Sequence, residues 1–128
     1  MHWSSEYIGI PFVPQGRSKD GADCWGLVKI VMKEIFDKDV PDFIDHPFDK
    51  KSNALTIEAS KPLVNAHEVQ DKEEGRVVVM ISMGYPAHVG VSVGQFGVLH
   101  MERKMGSILE PWHRLRYKIE GIYDISKL

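Results

Sequence analysis

Residues 9–36 read GIPFVPQGRSKDGADCWGLVKIVMKEIF, and this stretch decides the fold. Its first half is broken by Pro11, Pro14, Gly16 and Gly21, residues that interrupt regular structure, so it is a loop. Its second half is a helix. Leu27, Val28, Val31, Ile35 and Phe36 recur at the three- and four-residue spacing of one helical face, with Lys29, Lys33 and Glu34 between them. Asp23 is a natural N-cap, because its carboxylate can accept from the N–H groups of the first turn. Cys24, the only cysteine, is then the first helical residue.

That position carries chemistry. A helix N-terminus bears partial positive charge, which favours a thiolate over a thiol and lowers a cysteine pKa. A lone cysteine can equally be a small buried apolar residue. Its place directly after a capped loop points to the first reading, a nucleophile.

Upstream, Trp3, Tyr7 and Ile8 are apolar anchors in a short helix or arm over residues 1–8. Downstream, residues 37–49 carry Pro41 and Pro47 amid dense charge and read as a surface connection. Residues 52–65 fit either a short helix interrupted at Pro62 or extended pieces. A polar, acidic stretch then ends in a turn at Gly75. The apolar, β-branched run Val77 to Met83 is a buried strand and the expected centre of a sheet. Tyr85-Pro86 is expected to break the chain before a second strand, His88 to Val93. Its alternation puts Val89, Val91 and Val93 on one face and His88, Gly90 and Ser92 on the other. Gly94 to Gly97 turns the chain into a third strand, Val98 to Glu102. After a turn at Met105 to Ser107 come Ile108-Leu109-Glu110 and one or two further strands within Leu115 to Ile125. Helix first and antiparallel strands after makes the class α+β.

The whole chain, 1–128, is long enough for one domain with its own core, 43% of it apolar. A net charge of -2, with 16 basic and 18 acidic residues interspersed, offers no electrostatic footprint for nucleic acid. A single cysteine leaves no internal disulfide. The N-terminus lacks the basic-then-apolar pattern of a signal peptide, and no apolar run reaches the length of a membrane span.

Of six histidines, His2, His46, His67 and His113 lie in polar or proline-flanked surroundings and read as solvated. His88 differs: it starts a strand and points away from the valine row. His100 shares its face only if the hairpin loop has an odd number of residues or a bulge. A two-residue turn at Gln95-Phe96 would pair His88 with Arg103 and turn His100 away. With that condition met, Cys24, His88 and His100 supply a nucleophile, a base and a residue that orients the base, a set suited to acyl transfer. One cysteine and two histidines could also be three zinc ligands, but no close pair such as C-x-x-C or H-x-x-x-H supports that. The acyl-transfer reading calls for no cofactor and no metal.

These residues resemble a known family. Ile8-Gly9-Ile10-Pro11-Phe12, Gly16-Arg17 and Asp23-Cys24-Trp25-Gly26-Leu27-Val28 are similar to the first motif block of the NlpC family of papain-like cell-wall cysteine peptidases, particularly its branch in phage tails. Ala87-His88-Val89-Gly90-Val91 and Leu99-His100 stand where the family has its H-V-G-I motif and its third polar residue. The resemblance implies a papain-like fold, the cysteine-bearing helix packed on an antiparallel sheet. It implies Cys24 as nucleophile, His88 as base and His100 as orienting residue. The implied substrate is the peptidoglycan stem peptide, commonly cut between D-glutamate and the diamino acid. The implied location is the virion tail, with tail-tip or hub proteins as partners.

Phe12 departs from the pattern, since many members carry a tyrosine there whose hydroxyl is thought to help hold the oxyanion. The Cys24 backbone N–H or Gln15 would have to serve instead, and losing one such donor costs on the order of 10²-fold in rate. Phe12, Gln15, Asp23 and Trp25 are therefore the candidates around the nucleophile for oxyanion or substrate contact, although Trp25 at this helix position also suits core packing. Trp112 is a candidate cleft wall or partner contact, and Arg114, Arg116 and Lys118 read as the solvated face of a strand. Two other functions fit the same residues: a structural tail component with a degenerate site, and an acyltransferase or amidase acting on another amide.

Overall fold

The capped helix forms as its sequence dictates. In the computed structural model, which describes residues 2–46 and 48–125, helix α1 spans Cys24–Phe36 and the Asp23 side chain accepts from the backbone N–H of Gly26. Met1 and Pro47 lie outside the described residues. The loop before α1 is tied down by a two-residue ladder between β1 (Arg17–Ser18) and β2 (Gly21–Ala22). Gly26 is required where the two meet: a Cβ there would collide with the Gly16 carbonyl.

The strands β3 (His67–Val69), β4 (Val77–Ser82), β5 (Tyr85–Ser92), β6 (Val98–Glu102), β7 (Gly106–Glu110) and β8 (Lys118–Asp124) form one sheet, ordered β3-β8-β4-β5-β6-β7. Every recorded pair is antiparallel. The predicted strand at Val77 is indeed interior, between β8 and β5. Pleating divides the sheet into two faces. Val77, Val79, Val89, Val91, Leu99 and Met101 join α1 residues such as Leu27, Val28 and Val31 in the main core. Each fully buried valine or leucine there contributes roughly 1.5–3 kcal/mol. On the opposite face Val78, Met80 and Val98 are covered by Trp112, Leu115, Tyr117, Ile119 and Ile122. The result is an α+β domain in which the cysteine helix packs on one side of an antiparallel sheet.

Several readings are corrected. Tyr85-Pro86 does not break the chain: it opens β5, and the turn lies at Met83 and Gly84, both at positive φ. Pro86 is tolerated because the β4–β5 register shifts between Met80 and Ser82, so no ladder bond is lost there. Residues 52–65 resolve as helix α2 (Lys50–Ser60) and a 3₁₀ turn, Pro62–Val64. The polar stretch before Gly75 contains strand β3, which is paid no heed by hydrophobic pattern because two of its three residues are exposed. The described residues of the 37–49 segment, 37–46 and 48–49, are irregular as expected, but they are not simply surface, for Val40 and Asp45 are buried.

Candidate active site

The hairpin between β5 and β6 meets the parity condition. Gly90 pairs with His100, and Ser92 with Val98, leaving a five-residue loop, 93–97, that contains a 3₁₀ turn. An odd loop keeps His88 and His100 on one face. Gly90 makes room for them, since a Cβ at that position would lie 2.9 Å from the His100 Cβ. His88 Nε2 lies 3.0 Å from His100 Nδ1, and His100 Nε2 lies 2.9 Å from Glu110 Oε1 on the next strand. Arg116 stands 3.5 Å from the other Glu110 oxygen.

This chain fixes the tautomers. The Glu110 carboxylate, beside a guanidinium, accepts, so His100 Nε2–H must donate and His100 Nδ1 must accept. His88 Nε2–H then donates, which leaves His88 Nδ1 with a free lone pair. The Tyr117 ring, 4.9 Å from the His88 ring and 5.7 Å from the His100 ring, closes over the pair. Burial holds the His88 imidazole well below its ordinary 6.5, helped by His100, Lys50 and Arg103. Burial also lowers His100, against the pull of Glu110. Both rings are thus neutral near pH 7, and a neutral imidazole is a base. With both His100 nitrogens engaged, neither is free to ligate a metal as the zinc reading requires.

Cys24 reaches the same place from the other side of the sheet. The recorded β5–β6 pairing ends at Gly90–His100, although β5 continues to Tyr85 and β6 to Glu102. The cleft lies where the ladder has stopped. It measures about 220 Å³, and Cys24, His88, Phe12, Asp45, Ala87 and Met101 are among its walls. Its charged lining is mixed, with Lys50, Arg103 and Lys104 beside Asp45 and Glu102. So the cysteine and the proposed base share one cavity.

The thiol is not in the state its helix position suggested. Burial pushes the Cys24 thiol up, the carboxylates of Asp45 and Asp23 push it further, and only a backbone contact at Val89 opposes them. Burial outweighs the helix terminus, where a buried anion also sits: Asp23 accepts from the helix N–H of Gly26 and from the Arg17 guanidinium, 2.7 Å each, and from the Gln15 N–H of the loop, 2.9 Å. Cys24 Sγ meanwhile donates to Asp45 Oδ1 at 3.4 Å.

The remaining candidates separate by location. Phe12 lines the cleft, with the Arg103 guanidinium 5.7 Å from its ring centre. Gln15 does not offer an oxyanion donor, because its amide nitrogen donates to the Asp45 carbonyl at 2.6 Å and its amide oxygen accepts from the Asp45 N–H at 3.3 Å. Asp23 is wholly buried and acts as the helix cap. Trp25 packs in the core against Phe43 and donates to the Pro41 carbonyl. Trp112 is not a cleft wall: it covers the second core and donates to Gly94 O at 2.8 Å. Arg114 lies in a 3₁₀ turn, not on a strand, and Arg116 is drawn to Glu102 and Glu110.

Sequence reasoning missed Asp45, Glu110 and Tyr117. Glu110 left a signal, an acidic residue ending an otherwise apolar strand beside the histidine strand. Asp45 left none, being one of several aspartates in an irregular segment.

The NlpC/P60 family model matches residues 9–117, which includes Cys24, His88, His100 and Glu110. No curated protein matches the chain. Among solved structures, the NlpC/p60 domain of the peptidoglycan hydrolase SagA is similar, with a TM-score of 0.63 at 17% identity over 91% of this chain and 89% of that one. A lipoprotein-like NLP/P60 protein from Staphylococcus aureus also has a TM-score of 0.63 at 17% identity, over 98% of this chain but only 39% of its own. At that identity the two structures speak for the papain-like fold, and the matched residues speak for the family: this chain belongs to the NlpC/P60 family.

Proposed function

We propose that the protein is a cysteine endopeptidase that cuts amide bonds in peptidoglycan stem peptides, between D-glutamate and the diamino acid. The observation that carries this reading is the relay from Glu110 through His100 to His88, which leaves a basic Nδ1 in the cavity that also holds Cys24. In the reaction the Cys24 proton passes to His88 Nδ1 as Sγ bonds to the amide carbonyl carbon. The Cys24 backbone N–H, at the start of α1, steadies the oxyanion, since Phe12 has no hydroxyl and Gln15 is engaged elsewhere. His88 then protonates the leaving nitrogen as the C–N bond breaks. Water attacks the thioester, giving up a proton to His88, and the acyl product leaves as Cys24 regains its hydrogen.

The motif resemblance supports action at a phage tail tip, beside tail or hub proteins, after synthesis in the host cytoplasm. A second reading, a tail component with a latent site, is favoured by one observation: Cys24 is buried and its Sγ donates to Asp45 Oδ1. Mass spectrometry of purified peptidoglycan fragments after incubation with the protein separates the two. New stem-peptide ends from the wild type and none from Cys24→Ala are expected, and the fragment masses identify the bond. A folded wild type that leaves every fragment intact sinks the hydrolase reading for the isolated protein.

A further inference from the structure

The segment 37–49, which links the two helices, sends one carboxylate into the cleft, and it meets the thiol. Asp45 is 6% exposed, its Oδ1 is 3.4 Å from Cys24 Sγ, and its placement is fixed from two directions. Gln15 grips both its carbonyl and its N–H. The next residue, His46, donates its N–H to Asn53 Oδ1 at 3.0 Å, and Asn53 Nδ2 donates to the Ala87 carbonyl at 2.6 Å, one residue before His88. Loop, α2 and β5 therefore all converge on the position of this one carboxylate.

We infer that Asp45 is a positioning residue that holds the resting Cys24 as a thiol, so that the S–H must leave Asp45 before its proton can pass to His88. An ionised carboxylate accepts from S–H and repels S⁻, so the contact stabilises only the protonated nucleophile. The other charged groups around it do not cancel this. Asp23, the second anion near the thiol, is paired with Arg17. Lys50 on α2 acts on both Asp45 and His88, while Arg103 acts on His88. His88 and His100 are neutral. The inference deepens the hydrolase reading, since it takes Cys24 to be the nucleophile, and it assigns a role to a residue outside the Cys24, His88 and His100 set.

Alkylation of the full chain by iodoacetamide, followed across pH, tests it without any substrate. Thiolate fraction changes about tenfold for each unit of pKa, so Asp45→Asn is expected to alkylate at least about tenfold faster than wild type at neutral pH. Its pH–rate profile should level off at least about one unit lower, where the wild-type rate is still climbing. Gln15→Ala, which frees the backbone of Asp45, should move the profile the same way by less. A variant that loosens the same segment without touching Asp45, Val40→Ala, relieves burial alone and should move the profile by less than Asp45→Asn does. A folded Asp45→Asn with an unmoved or upward-moved profile overturns the inference. If Asp45→Asn does not fold, the Gln15→Ala profile decides by the same criterion. A downward shift in a protein that cleaves no peptidoglycan would keep the Asp45 assignment and remove the hydrolase reading.

Discussion

The two halves of the site are built by different physics. The base half, His88, His100 and Glu110, lies on three consecutive strands, and ladder register alone determines which side chains meet. The nucleophile half, Cys24 with Asp23, Arg17, Gln15 and Asp45, is held by loops around buried charge. In the first half backbone pairing does the positioning and the polar chain inherits it. In the second the polar contacts themselves do the positioning. Damage to the base half should therefore appear in activity, and damage to the nucleophile half in stability.

The sharpest way to test that contrast is Glu110→Gln. The amide can donate to His100 Nε2, which then becomes an acceptor, so His100 Nδ1–H donates and the His88 proton moves to Nδ1. A base protonated on its working nitrogen cannot take the thiol proton. Loss of about 10²- to 10⁴-fold in kcat/KM is expected, similar to His88→Ala and with the fold intact. Hydrolysis of a stem-peptide substrate and a thermal melt measure both quantities. Retained activity in Glu110→Gln would mean that the relay does not set the tautomer.

Arg17→Ala should do the reverse. It leaves Asp23, fully buried at the start of α1, without its charge partner, and also frees Asp42 and the Phe43 carbonyl. Breaking a buried pair on one side costs about 3–5 kcal/mol. Chemical denaturation would read this as a large loss of stability. A change below about 1 kcal/mol, the range of an exposed pair, would show that the loop is held by its backbone contacts instead.

The same contrast explains what the sequence disclosed. Helix α1, its Asp23 cap and the valine-faced hairpin follow from periodicity and capping, which depend on neighbours in the chain, so they were legible. The shared face of His88 and His100 was legible only as a condition on loop parity, and the structure supplies the five-residue loop. Asp45 and Tyr117 could not be read, because the residues they meet lie far off in sequence and no local period marks them. The thiol was misjudged for a related reason: the helix terminus is a local feature, whereas burial and the Asp45 carboxylate are not.

The smallest effect, and the one spread over both halves, is the dependence of stability on pH. His88 and His100 are held neutral in the native state, while in the unfolded chain each takes up a proton near the ordinary 6.5. Below that pH the unfolded state binds more protons, so stability falls on acidification by up to about 1.4 kcal/mol per pH unit for each ring, until the native ring itself protonates. Above 6.5 this contribution is flat. Cys24 acts at the other end: its native thiol stays protonated where the unfolded thiol ionises, near 9.0, so stability falls again as pH rises past that value. Asp45, raised by burial and by Asp23, opposes the acid loss only as the pH nears the carboxylate range. Denaturation midpoints between about pH 5 and 7 should therefore slope less steeply in His88→Gln than in wild type, and Cys24→Ser should flatten the alkaline side alone. An acid slope equal in His88→Gln and wild type would mean that the ring is not held neutral in the native protein, and the base half would lose the feature that makes it a base.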